Sequence, residues 1–136
     1  MKNIIIAGAG GPLGQYLQKS YLKDNFNVIS ISRKKNYKFK SKFKNLHSYS
    51  GDLSDKKITK EIYKKISKKF KKIDFIISCV GKSNFKKIND RNKEIDEWKV
   101  AIDDNLIANV NLIDEYLTSF SKKLSNTKII LISSIA

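Results

Sequence analysis

Apolar residues along this chain fall into short continuous runs, and the stretches between the runs repeat about every four positions. The runs cover Lys2 to Ala7, Asn27 to Ser32 ("NVISIS"), Lys72 to Val80 ("KIDFIISCV") and Ile129 to Ile132, with a weaker one over Leu46 to Ser50. Such runs lack the alternation of a half-exposed strand and suit strands covered on both faces. Between them, Pro12 to Lys23 places Leu13, Tyr16, Leu17, Ser20 and Tyr21 on one side of a helix. Ser54 is placed to cap a second helix, in which Ile58, Ile62, Ile66 and Phe70 recur every four residues among lysines. A long helical stretch over Glu94 to Leu124 carries Trp98, Ile102, Leu106, Val110, Ile113 and Leu117, with Trp98 as the expected core anchor.

Strands that alternate with helices predict an α/β fold of three layers, a parallel sheet of about five strands with helices on both faces. Right-handed crossovers leave few topologies. A Rossmann-like sheet of strand order 3-2-1-4-5 is predicted, with a ligand crevice where strands 1 and 4 diverge. The sequence shows no internal repeat, and residues 1–136 read as one domain. A chain of this length can bury about two-thirds of its unfolded surface.

Composition narrows the setting. The single cysteine, Cys79, excludes an internal disulfide and points to a reducing compartment, so a cytoplasmic location is expected. Glycines at 8, 10 and 11 and Pro12 interrupt the first apolar run too early for a signal-peptide core, and no stretch reaches membrane-spanning length. The net charge of +15 raises nucleic acid as a partner. Against it, only Arg33 and Arg91 among 28 basic residues are arginines, and the lysines are dispersed; with 20 isoleucines and 12 asparagines, they fit a bias toward A/T-rich codons. His47 has no neighbours at metal-ligand spacing, so no metal is expected.

The chemistry begins at "AGAGGPLG", Ala7 to Gly14, between the first strand and the first helix. Glycines there permit a sharp turn, a close approach of backbone N–H groups to a pyrophosphate, and tight packing of helix on strand. Gly8, Gly10, Gly11, Pro12, Leu13 and Gly14 are therefore candidate cofactor-binding residues, with Pro12 suited to the first helical turn. The second strand ends in Ser32, Arg33 and Lys34, where an NAD-preferring site offers a carboxylate to the ribose hydroxyls. A guanidinium and an ammonium attract a 2′-phosphate, so NADP(H) is expected over NAD(H).

These motifs, in this order, resemble the short-chain dehydrogenases/reductases. The spacing of Gly8, Gly11 and Gly14 resembles the branch that includes nucleotide-sugar epimerases. "GDLSD" resembles the segment whose acid, here Asp52, hydrogen-bonds the adenine with Leu53 beside the ring. "SCVG" stands where the family has Asn-Asn-Ala-Gly, which places Cys79, Val80 and Gly81 at the cofactor. "EWKVAIDDNL" resembles the helix ending in the active-site asparagine, here Asn105, and "ILISSIA" the strand whose second serine, here Ser134, is catalytic, with Ile132 near the cofactor.

The resemblance implies hydride transfer between NADP(H) and a carbonyl or alcohol, with Ser134 bonding the substrate oxygen and Asn105 holding a water of the proton relay. It also implies a small-molecule substrate and leaves room for a homo-oligomer. The family's acid/base is the tyrosine of Tyr-x-x-x-Lys, yet Tyr16, Tyr21, Tyr37, Tyr49, Tyr63 and Tyr116 all lack a lysine four residues on. The expected pair would lie just past Ala136, so the chain reads as the cofactor-binding part of a reductase, incomplete at its C-terminus. Three alternatives stay open: an epimerase- or dehydratase-like member, a non-catalytic NADP binder, and a nucleic-acid module using Tyr37, Phe39 and Phe43 among the lysines of "KNYKFKSKFKN".

Overall fold

Five parallel strands hydrogen-bond in the order β3-β2-β1-β4-β5 in the computed structural model, which describes residues 1–34, 43–82, 94–121 and 126–133. They are β1 (Asn3–Ala7), β2 (Asn27–Ser32), β3 (Leu46–Ser50), β4 (Phe75–Ser78) and β5 (Lys128–Leu131). The helices are α1 (Pro12–Lys23), α2 (Lys56–Lys69), α3 (Glu94–Ile102) and α4 (Ala108–Ser119), the last two joined through a π-helical turn, Asp103–Ile107. Strand order and layering are those predicted from the sequence.

The register shows why the central runs are continuously apolar. Ile5 of β1 lies opposite Ile29 of β2 and Ile76 of β4, and this row faces α2 and α4 together with Ile62, Ile66 and Leu112. The adjacent row, Ile4, Val28 and Phe75, belongs to the opposite face, where it packs with Ile6, Ile77 and Leu22 of α1. A strand flanked by helices on both sides has no face to give to polar residues. Each such isoleucine, withdrawn from water, contributes about 1.5–3 kcal/mol.

Three expectations need correction. Asp55, not Ser54, caps α2, its carboxylate accepting from the N–H groups of Lys57 and Ile58. Ser54 instead donates its N–H and hydroxyl to Asp52. Trp98 is no core anchor: it is 70% exposed, and Ile102, Leu106, Val110 and Leu117 are exposed with it. The buried face of α4 is made by Ala108, Asn111, Leu112, Glu115 and Tyr116. Lastly β5, expected to be covered on both faces, is exposed at Ile129, Ile130 and Leu131 and occupies an edge of the sheet among the described residues.

Two polar members of the buried α4 face, Asn111 and Tyr116, have partners that a helical wheel cannot show. The Asn111 side chain donates to the carbonyls of Leu53 (2.9 Å) and Ser54 (3.1 Å), tying α4 to the loop after β3. Tyr116 donates its hydroxyl to Thr127 Oγ1, which in turn donates to the Ile73 carbonyl. A buried polar group satisfied in this way costs little, so it can occupy a core position.

Candidate nucleotide-binding site

Where β1 ends at Ala7, the chain turns through Gly8–Gly11 into α1, and the turn fixes the site. Gly8 has φ +73°, a conformation L side chains avoid, and a Cβ there would stand 2.6 Å from the carbonyl oxygen of Cys79. A Cβ on Gly14 would stand 2.4 Å from the Gly8 carbonyl oxygen, so α1 crosses the end of β1 at a distance only glycine permits. Gly10 and Gly11 differ from these two. Their nearest neighbours would be 3.6 Å away, an ordinary contact, and the room beside them opens into the crevice.

Two glutamines that sequence reading missed orient the turn. Gln18, fully buried on α1, donates to the Ala9 carbonyl at 2.7 Å, and Gln15 donates to the Gly10 carbonyl at 2.8 Å. In a trans peptide the C=O and the following N–H point in opposite directions. Drawing the Ala9 carbonyl toward α1 therefore turns the Gly10 N–H away from it. The helix itself adds donors: Gly11 caps α1 without a side-chain hydrogen bond, and the first turn holds no acid. Its N–H groups have no intrahelical acceptor, and the positive end of the helix dipole is left for an anion.

The turn forms one wall of a crevice of about 500 Å³ at the carboxyl ends of the strands. That is the size of small-molecule and cofactor sites. The end of β2 supplies Ser32, Arg33 and Lys34, the loop after β3 supplies Asp52 and Leu53, and the end of β4 supplies Cys79, Val80 and Gly81. The backbone carrying the two cations is pinned, since Ser32 donates its hydroxyl to the Lys34 carbonyl and Ser50 donates to that of Arg33 at 3.0 Å. Asp52 Oδ1 receives both hydrogen bonds from Ser54, which holds the carboxylate at the crevice. Burial pushes the Cys79 thiol pKa up, so this cysteine is protonated at neutral pH and is no nucleophile.

Asn105 lies in the π-helical turn, next to the crevice at Gly81. Its Nδ2 donates to the carbonyls of Lys82 (3.0 Å) and Ala101 (2.8 Å), and its Oδ1 accepts from the Lys82 N–H at 3.0 Å. Every hydrogen-bonding atom of the amide head is engaged, so the side chain fastens the segment after β4 to the helix. A Cβ on Gly81 would stand 2.8 Å from Asn105 Oδ1. Single π-helical turns recur at functional sites because they displace one residue from the regular helical phase. Here the displaced residues also bring Asp104 and Ala108 to the crevice, and sequence reading proposed neither.

The remaining candidates divide. Pro12 and Leu13 stand in the first turn of α1 and Gly14 at its crossing with β1, while none of the three lines the crevice. Ile132 follows β5, donating its N–H to the Ser78 carbonyl at 3.0 Å. Ser134 lies outside the described residues, as do Tyr37 and Phe39. Among the described residues no helix is long and apolar enough to cross a membrane, and no group of three His, Cys, Asp or Glu gathers as a metal site.

An open parallel sheet with a glycine turn, an uncapped helix N-terminus and a crevice at its carboxyl edge defines the dinucleotide-binding class of α/β folds. Within that class the chain belongs to the short chain dehydrogenase family, which it matches over residues 2–136. Among solved structures it is similar to a short chain dehydrogenase from Leptospira borgpetersenii with bound NAD+, at 25% identity and TM-score 0.85 over 96% of this chain and 50% of that one. A short chain dehydrogenase/reductase from Saccharomyces cerevisiae shares the fold at 21% identity and TM-score 0.84, with 98% and 54% covered. So does ElxO with NADP bound, at 24% identity and TM-score 0.83, with 98% and 55% covered. The chain thus spans about half the length of these structures. No curated protein matches it by sequence.

Proposed function

We propose that the crevice binds a nicotinamide dinucleotide, NADP(H) in preference to NAD(H), for hydride transfer to or from a carbonyl or alcohol. The observation that carries this reading is the outward-turned backbone of the glycine turn, with Gly10 and Gly11 open to the crevice and α1 uncapped behind them. The Gly10 N–H and the first-turn N–H groups of α1 suit a pyrophosphate, while the Gly11 N–H donates to the Gly8 carbonyl at 3.2 Å. Asp52 and Leu53 suit the adenine, Arg33 and Lys34 a 2′-phosphate, and Cys79 to Gly81 the path toward the nicotinamide.

When bound, the cofactor supplies the hydride or accepts it, and the chain's own residues orient it and shape the reaction site. Asn105 and Ser134 are the residues we assign next to that chemistry. Ser134 would bond the substrate oxygen; Asn105 would hold the loop, with the second lone pair of its Oδ1 left for a relay water. No tyrosine of these 136 residues is followed four positions later by lysine, so proton transfer to the substrate is not assigned to this chain.

Calorimetric titration of the 136-residue chain with NADPH and with NADH tests the reading. NADPH is expected to bind more tightly than NADH by about tenfold, the worth of one charge-assisted contact. Equal constants would end the preference, and absence of binding by either would end the reading.

A further inference from the structure

Arg33, the residue best placed to recognise a 2′-phosphate, already has a partner: its Nη1 lies 3.6 Å from Asp104 Oδ2. The pair joins the end of β2 to the π-helical turn, and both residues line the crevice. Its members are unequal. The Arg33 side chain is 60% exposed and can swing, whereas that of Asp104 is 14% exposed and confined. Lys34, by contrast, has no carboxylate partner among the described residues.

We infer that Asp104 is a specificity-determining residue that restrains NADP(H) binding by competing with the 2′-phosphate for the Arg33 guanidinium. The inference rests on the proposed dinucleotide reading of the crevice. A dinucleotide with a free 2′-hydroxyl leaves the Arg33–Asp104 pair intact. One with a 2′-phosphate must exchange the Asp104 carboxylate for phosphate at Arg33, leaving a confined carboxylate unpaired close to a dianion. Asp104 thus acts only against the phosphorylated cofactor and narrows the preference that Arg33 and Lys34 create. The pinned backbone of Arg33 favours such competition, because Ser50 and Ser32 fix where its side chain starts and so bound its reach.

The isosteric variant Asp104→Asn keeps the shape of the site and removes the competing charge. In the 136-residue chain it is expected to tighten NADPH binding about fivefold, the scale of one partly exposed ion pair, and to leave the NADH constant within about twofold. Asp104→Ala should shift the two constants in the same sense, which guards against an effect peculiar to asparagine. In an Arg33→Ala background, Asp104→Asn should lose most of its selective effect, keeping only the part due to direct repulsion between carboxylate and phosphate; an undiminished effect would overturn the competition for Arg33. An equal gain for both cofactors would overturn the inference by showing a general charge effect, since both carry the pyrophosphate. A loss for both would overturn it by showing a structural role. Failure of the unaltered chain to bind either cofactor would instead remove the dinucleotide reading, and this inference with it.

Discussion

Replacing Gly14 with alanine is expected to cost the chain a large part of its stability, and Gly8→Ala to do the same. A Cβ at Gly14 would overlap the backbone of Gly8 and Ala9, at 2.4 Å and 2.7 Å, and that at Gly8 the backbone of Cys79 and Val80, at 2.6 Å and 2.9 Å. Backbone cannot rotate aside as a flexible side chain can. Overpacking of this kind costs about 1–3 kcal/mol or more. At Gly8 the left-handed φ adds about 1–2 kcal/mol. Against a total stability of about 5–15 kcal/mol, losses on this scale are large.

Gly10→Ala should behave oppositely, because its Cβ meets nothing closer than Ser32 Cβ at 3.6 Å. Its urea midpoint should stay near that of the unaltered chain, while NADPH binding weakens about tenfold as the Cβ takes the cofactor's room. Urea unfolding of the three variants checks the division. Similar destabilisation by Gly10→Ala and Gly14→Ala would refute a division of the motif into folding glycines and ligand glycines.

The second large effect concerns the cations at the end of β2. The double variant Arg33→Ala and Lys34→Ala should weaken NADPH binding about 10–100-fold, from the loss of one or two hydrogen bonds to a charged group. NADH should change by no more than about threefold, since it lacks the 2′-phosphate and loses only the general attraction of two partly screened charges. Parallel titrations give the ratio. A uniform loss across both cofactors would assign Arg33 and Lys34 to general attraction, of the kind the net charge of +15 already provides.

The strand runs were legible because each central strand is buried on both faces, and a composition of Ile, Val and Ala has one physical solution there. "AGAGGPLG" was legible for a related reason, its glycines standing between a strand and a helix. The second half was harder to read. A single helical wheel over residues 94–124 selects Trp98, Ile102, Leu106, Val110, Ile113 and Leu117, and the structure exposes all but Ile113, which is half-buried. Within α4 itself the buried side carries Ala108, Asn111, Leu112, Glu115 and Tyr116, so Val110 and Leu117 fall on another side of the same helix. The face that does bury includes Asn111, whose polarity is met by the Leu53 and Ser54 carbonyls, groups distant in sequence.

Asp104 was hidden differently. In "EWKVAIDDNL" it is one acid of two beside Asn105, and nothing local separates it from Asp103. Only the fold brings it across the crevice to Arg33, itself singled out from sequence as a phosphate ligand. Gln15 and Gln18 were hidden among the polar positions of a helix whose apolar side drew the attention, although Gln18 is among the most buried residues of the chain. The signal that could have found them was proximity: each lies within one or two turns of the glycine motif, where a side-chain amide can reach loop carbonyls.

We propose a nicotinamide dinucleotide in the crevice at the carboxyl ends of β1, β2 and β4. An NMR titration of the 15N-labelled 136-residue chain with NADPH tests it most directly, residue by residue. Saturable shifts of the Gly10, Gly11, Arg33, Asp52 and Gly81 amides are expected, with those of the lysine-rich helix α2 unmoved. Shifts confined to α2, or none at millimolar cofactor, would contradict it.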